Sequence, residues 1–348
     1  MVRKKDTQND PLDARERAVL RAIIEEYVET ATPVGSQAIV EKYALGVSSA
    51  TVRSVMAQLE RVGLIGQPHT SAGRVPSDEG YRLYVESLAD PVALEPVDQL
   101  MIRHQFGQVA LSSEQWFRLA AAILASTTRA AGLVTAVQPG KARVRRIHLG
   151  LVHPRLAALV IEPIEGSMRQ ALVALPGATD ATDLAGIASR LDTAVSGKTA
   201  AQIARLAEGL EPLAREIARR VAVTMSDVDA ARVEGLFSDG LLNVMEAPEF
   251  ARTEKLRRVF AALQDRAYLG RLVDHVARQG GVRVFIGHEN MLEDMADVSL
   301  VMAPFGHEGR LLGVIGVLGP TRMAYPRTIG AVRFVSGLMD ELVGQLYA

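Results

Sequence analysis

Residues 46–85 read GVSSATVRSVMAQLERVGLIGQPHTSAGRVPSDEGYRLYV, and the order of patterns in that stretch decides the fold of the amino-terminal region. Ser48 stands at an N-cap position, and Val52, Val55, Met56 and Leu59 follow at the spacing that collects them on one side of a helix, so that side must meet a core. The opposite side carries Ala50, Arg53, Ser54, Ala57 and Arg61. A helix surface that is small, polar and cationic can enter the major groove of duplex DNA: arginine reaches guanine or phosphate, and short side chains permit close approach. Gly63 ends the helix, and Leu64-Ile65 begins a strand whose partner is Arg74-Val75-Pro76, with His69 to Gly73 as the tip between them.

Outward from this stretch, Asp13 and Glu16 have capping-box spacing, and Val19, Leu20, Ile23, Ile24, Tyr27, Val28 and Ala31 form a broad apolar stripe that predicts one long helix. Pro33 ends the connection after it. A shorter helix is predicted over Ser36 to Tyr43, and Ser77 caps a fourth that runs to Leu88. Helix, helix, turn, helix, strand, tip, strand is the order of a winged helix-turn-helix. A helix followed by a ribbon can also serve only to bind protein. The tip separates the two readings, because His69, Thr70, Ser71 and Arg74 around Gly73 are hydrogen-bonding and cationic, where a docking hairpin would be apolar.

These residues resemble the HrcA heat-inducible transcription repressors of bacteria. The matching runs are PVGSQAIVEKYALGVSSATVR, QPHTSAGRVPSDEGYRLYV, RVEGLFSDGLLNVMEAPEF, FIGHEN and GVIGVLGPTRMAYPRTIGAV, in family order along nearly the whole chain. After Ala50-Thr51-Val52-Arg53 the family usually continues with Asn and an acidic residue, whereas this chain has Ser54-Val55, which bears on base preference rather than fold. The resemblance implies an α+β multidomain chain: a winged helix-turn-helix over residues 1–90, a helical linker over 91–130, a GAF-like domain over 131–165 and 236–348, and an inserted dimerisation domain over 166–235. It further implies a homodimer that binds an inverted-repeat operator, the CIRCE element, before class I heat-shock (chaperone) operons, with a GroEL-type chaperonin maintaining the active form. Ser49, Thr51, Arg53 and Ser54 of the helix, with His69, Ser71 and Arg74 of the tip, are the expected DNA contacts.

Composition bounds the alternatives. A chain of 348 residues with 48% hydrophobic content has material for two or three cored domains. Absence of cysteine excludes disulfide frameworks, thiol catalysis and Cys-ligated zinc, and fits a reducing cytoplasm. The segment MVRKKDTQND leads into no apolar run, and no uninterrupted apolar stretch is long enough to span a bilayer. Net charge is -1, and residues 1–88 hold 11 Lys and Arg against 12 Asp and Glu, so the DNA-binding region lacks a global basic excess. Counterion release needs cations placed at phosphates, and Arg3, Lys4, Lys5, Arg53, Arg61 and Arg74 supply a local stripe if Glu25, Glu26 and Glu29 face elsewhere.

Beyond Pro91, helices are predicted over 97–106 and 115–129, strands over 133–137, 146–152, 156–161 and 171–175, helices over 183–195 and 200–227, strands over 282–286, 298–303 and 310–318, and a final helix over 328–346. Strands flanked by helices without regular βαβ repetition make an α+β module. Ser196-Gly197-Lys198-Thr199 ends like a phosphate loop, but the first glycine of that pattern falls on Asp192 and no strand precedes it. His288-Glu289 lacks the second histidine of a zinc-protease helix, and no nucleophile elbow or catalytic carboxylate pair stands out, so neither a metal, a cofactor nor an enzymatic activity is expected. Pro320 to Arg327 reads as a rigid loop, or as an anchor in which Arg322 and Arg327 hold a domain or subunit contact. A second functional class remains: a regulator whose GAF-like domain binds a small metabolite, which requires a polar-lined pocket there.

Overall fold

The computed structural model describes residues 12–69, 72–89, 92–109, 112–136, 138–139, 141–164, 167–231, 235–250, 253–307 and 311–347. Its architecture is mixed α and β, with antiparallel sheets and helices. The amino-terminal unit starts with α1 (Ala14–Thr30), whose capping box is complete: Asp13 accepts from the Arg15 and Glu16 amides, and Glu16 accepts from the Asp13 amide, all at 2.8 Å. Then come α2 (Ser36–Lys42) and α3 (Ser49–Arg61), the latter capped by Ser48. Strands β1 (Ile65–Gly66) and β2 (Val75–Pro76) pair antiparallel, Ile65 opposite Pro76. Val52, Met56 and Leu59 of α3 are buried with Leu20, Ile23 and Ile39, and Val55 packs half-buried beside them, as the apolar spacing predicts. Helix α4 (Asp78–Leu83), capped by Ser77, continues into a wider turn over Tyr84–Leu88.

Two helices, α5 (Pro96–Gln108) and α6 (Ser113–Thr128), lead to the larger sheet. It contains β3 (Ala131–Thr135), β4 (Gln138–Pro139), β8 (Leu236–Asp239), β9 (Arg283–Ile286), β10 (Val298–His307) and β11 (Leu311–Pro320), in the order β8-β3-β11-β10-β9 with β4 also on β11. Strand alternation assigns its faces. Val301, Ala303, Phe305, Ile315 and Val317 join the core that contains α6, the terminal helix α13 (Tyr325–Tyr347) and the amino-terminal unit. Leu300, Met302, Val314 and Leu318 face the other way, onto α10 (Leu241–Met245), α11 (Thr253–Gln264) and α12 (Arg266–Gln279). The helices α10, α11 and α12 were not predicted from the sequence.

Residues 144–228 form a separate layer. Strands β5 (Val144–His153), β6 (Leu156–Pro163) and β7 (Arg169–Ala174) pair antiparallel, and a core of their own joins them to α7 (Ala181–Val195), α8 (Ala200–Ala207) and α9 (Pro212–Ala231). Strands β5 and β6, which fall within the expected GAF-like range, pair in this smaller sheet rather than in the larger one. Period-two alternation says that β5 and β6 are half-buried strands, not which neighbour they pair with. The excursion departs after β4 and returns at Leu236, which is paired with Thr135 across β3 and β8. The single helix predicted over 200–227 is broken between Ala207 and Pro212, because Pro212 lacks the amide that an unbroken helix would require and instead starts α9.

Candidate nucleic-acid interface

Helix α3 offers Ala50, Arg53, Ser54, Ala57, Gln58 and Arg61 to solvent. Its amino end is fixed by Ser48, whose Oγ accepts from the Thr51 amide at 3.2 Å and lies 3.0 Å from Thr51 Oγ1. Arg53 is exposed and touches its own helix only through Nε and the Ser49 carbonyl at 3.4 Å. Ser54 is open. Ser49 and Thr51 are half-buried, and the Ser49 hydroxyl lies 2.9 Å from that of Ser36, tying α2 to α3. Ser49 is therefore better placed to set the angle between the two helices than to project outward. Gln58 is the residue overlooked on this surface. It follows Ser54 by one helical turn, and its amide has the donor and acceptor pair that suits an adenine edge.

The returning side of the hairpin, at Gly73 and Arg74, is seated against the loop between α1 and α2. Val34 and Arg74 exchange both backbone hydrogen bonds, at 2.8 and 2.9 Å. A Cβ at Gly73 would stand 2.5 Å from the Val34 carbonyl oxygen, so only glycine permits this approach. His69 is exposed beside the tip, whereas Ser71 lies outside the described residues, as do Arg3, Lys4 and Lys5. Arg74 is placed differently from expectation. Its guanidinium reaches back to Glu60 on α3, with Nη2 2.9 Å and Nε 3.1 Å from Oε2, and its side chain is only 21% exposed. The pair fastens the hairpin to α3 and neutralises one cation of the expected stripe. Glu60 and Arg74 are 14 residues apart in sequence, beyond any local spacing rule.

The acids of α1 are paired: Glu25 with Arg21, and Glu26 and Glu29 both with Lys42. The cationic surface of α3 thus consists of Arg53 and Arg61, and its electrostatic footprint is small.

The other motifs have structural places. Thr199 of the Ser196–Thr199 run caps α8 together with Gln202, and Arg143 donates to the Gly197 carbonyl at 2.7 Å. Arg322 pairs with Glu249, close enough to α1 that Glu249 raises and Arg322 lowers the Tyr27 phenol pKa, which burial above all pushes up. Arg327 is exposed. Among the described residues there is no group of three or more His, Cys, Asp and Glu placed to hold a metal ion, and no helix is long and apolar enough to cross a membrane.

Residues 114–329 match the family model of the HrcA protein C terminal domain. The chain is 40% identical to the heat-inducible transcription repressor HrcA of Chloroflexus aurantiacus, over 97% of this chain and 95% of that protein. It is 39% identical to the protein of the same name from Herpetosiphon aurantiacus, over 97% and 96%. Among solved structures, a crystal structure of a hypothetical protein covers 96% of this chain and 98% of its own, with a TM-score of 0.58 at 24% identity, and so shares the fold.

Proposed function

The chain belongs to the HrcA family of heat-inducible transcription repressors, and from that premise we propose that it represses by binding DNA as a homodimer and performs no chemistry. In this reading, α1 to β2 are a winged helix-turn-helix with α3 as the recognition helix, and the larger sheet with its helices is a GAF-like domain carrying an insertion through which two copies associate. The observation that carries the reading is the solvent-facing surface of α3, small and polar with two arginines, set beside a hairpin tip that the Arg74–Glu60 pair and the Val34 bridge hold in place. Arg53, Ser54, Thr51 and Gln58 on the helix, with His69 and Ser71 at the tip, would make the contacts, while Ser49 and Arg74 support them. The insertion keeps Val152, Met168 and Leu172 57–64% exposed, apolar surface that a second copy would cover.

A twofold dimer calls for a twofold site, so the operator is an inverted repeat of the CIRCE kind before chaperone operons. With few free cations, tight binding rests on base contacts, DNA shape and the doubling of sites rather than on phosphate attraction. Dependence on a GroEL-type chaperonin would make active repressor fall when heat diverts the chaperonin to other clients. The test is a gel shift of the purified chain on an inverted-repeat operator and on a scrambled control, with and without chaperonin. A chain that retards both probes equally would end the repressor reading; one that binds the operator but gains nothing from chaperonin would end that part alone. The metabolite-sensor reading would place its ligand in the cavity of about 700 Å³ lined by the polar side chains of Ser77, Asp78, Arg82, Glu86, His288 and Glu289.

Glu60 supplies a further prediction. Glu60→Gln removes the charge that shields Arg74, so the salt dependence of DNA binding should steepen by up to about one unit in the log-log slope. An unchanged slope would show that Arg74 stays out of reach of phosphate.

A further inference from the structure

The FIGHEN run, residues 285–290, plays no part in the DNA surface, yet it meets the helix that follows the hairpin. Arg82 of α4 donates through Nε to Glu289 Oε1 at 2.7 Å, bonds the same carboxylate through Nη2, and gives Nη2 also to the Val284 carbonyl at 2.7 Å. One turn earlier, Asp78 Oδ2 accepts from the His288 amide at 2.9 Å and lies 2.8 Å from His288 Nδ1. Gly287 stands between them at φ +50°, and a Cβ there would overlap the Asp78 carboxylate. Below the polar contacts, the buried ring of Tyr81 packs 5.7 Å from that of Tyr325, whose hydroxyl donates to the Thr321 carbonyl and lies 2.7 Å from Ser299 Oγ. The other end of α4 is joined to α3: the Ser77 hydroxyl donates to the Gly63 carbonyl at 2.6 Å while capping α4 through the Gly80 amide.

A continuous chain of contacts thus runs from the end of α3, through α4, to the loop at 286–290. Exposed ion pairs taken singly do little in water, but here two carboxylates, a forked guanidinium and a loop amide fix the same helix against the same loop, and the tilted Tyr81–Tyr325 pair holds that helix to the start of α13. None of these contacts uses an exposed side chain of α3.

We propose that the 286–290 loop is a positioning clasp: Glu289 and His288, through Arg82 and Asp78 of α4, fix the orientation of the amino-terminal unit on the sheet domain and so set the separation of the two recognition helices in the dimer. This rests on the DNA-binding dimer proposed above. A clasped dimer presents its second helix already aligned once the first is bound, so binding to a full repeat gains from a high effective concentration. Released units lose that gain. Their individual fit to a half-site does not change, because no side chain of α3 or of the tip belongs to the clasp.

The test compares the full chain with Glu289→Gln combined with His288→Ala, and separately with Arg82→Gln, which attacks the same contact from α4. Gln at 289 keeps the oxygen that accepts from the Ile286 amide at 2.9 Å, so the loop itself retains its cap. Two readouts are used. In the first, affinity is measured for an inverted repeat and for a single half-site. Both variants should lose at least about 10-fold on the repeat, stay within about 2-fold on the half-site, and tolerate altered half-site spacing. Equal losses on both DNAs, or none on either, would overturn the proposal. In the second, the absence of native cysteine allows spin labels at Gln58→Cys and Arg271→Cys, with labelled chain diluted into unlabelled chain. The unaltered clasp should give one narrow distance and the variants a broad distribution; an unchanged narrow distance in the variants overturns the proposal. If the unaltered chain binds neither DNA, the repressor reading fails, and the distance measurement still decides the clasp.

Discussion

Arg53→Ala is expected to weaken operator binding by about 1–3 kcal/mol, roughly a 5-fold to 150-fold loss, and to relax discrimination at the base pair that Arg53 meets. Arg53 lies near the middle of the exposed surface of α3, flanked by Ala50, Ser54 and Ala57, and its only intramolecular hydrogen bond described is the 3.4 Å contact to the Ser49 carbonyl. Alanine costs the helix nothing in propensity, so the change should register in DNA affinity and not in the unfolding midpoint. Glu25→Ala, on the α1 surface paired with Arg21, is the control and should leave affinity unchanged. Titration of the two variants against operator and single-base-pair variants checks this. Equal affinities for the unaltered chain and Arg53→Ala would remove Arg53 from the contact surface.

Phe117→Ala should destabilise the sheet domain by about 3–5 kcal/mol. Phe117 sits on α6 with 4% of its surface exposed, and its ring lies 5.4 Å from Phe237 of β8 and 5.9 Å from Phe305 of β10. Truncation leaves a cavity and removes both ring pairs at once, at a point where α6 bridges strands distant in sequence. The chain's single tryptophan, Trp116, is the adjacent residue and is buried, so denaturant unfolding followed by its fluorescence reports on this site directly. A shift in midpoint equivalent to less than about 1 kcal/mol would mean that the neighbouring apolar side chains collapse into the space.

What the sequence revealed follows the range of the interactions involved. Asp13 with Glu16, Ser48 before Val52, and the glycine-bounded hairpin are local patterns, and each appears where its spacing puts it. The roles of Ser49 and Arg74 depend on partners 13 and 14 residues away, and the clasp joins Asp78 and Arg82 to residues more than 200 positions later. No periodicity encodes those distances. The same holds for the pairing of β5 and β6. The strands near residues 144–163 were visible as strands, but the choice between two sheets is made by tertiary packing, against Leu184, Leu191 and Val221 of α7 and α9. The motif GPTRMAYPR was legible as a rigid loop or as an anchor through Arg322 and Arg327, but the partners of Arg322 and Tyr325, namely Glu249, Ser299 and Tyr81, lie too far off in sequence to be read from it.

The pairing of Thr135 with Leu236 has a thermal corollary. The excursion is joined to the sheet at its neck and rests through α9 on α12, so melting it lengthens a loop without unzipping the strands at that neck. In the dimer proposed above, heat that melts the excursion would part the two copies while each α3 surface stays folded, so derepression would need no global collapse of the molecule.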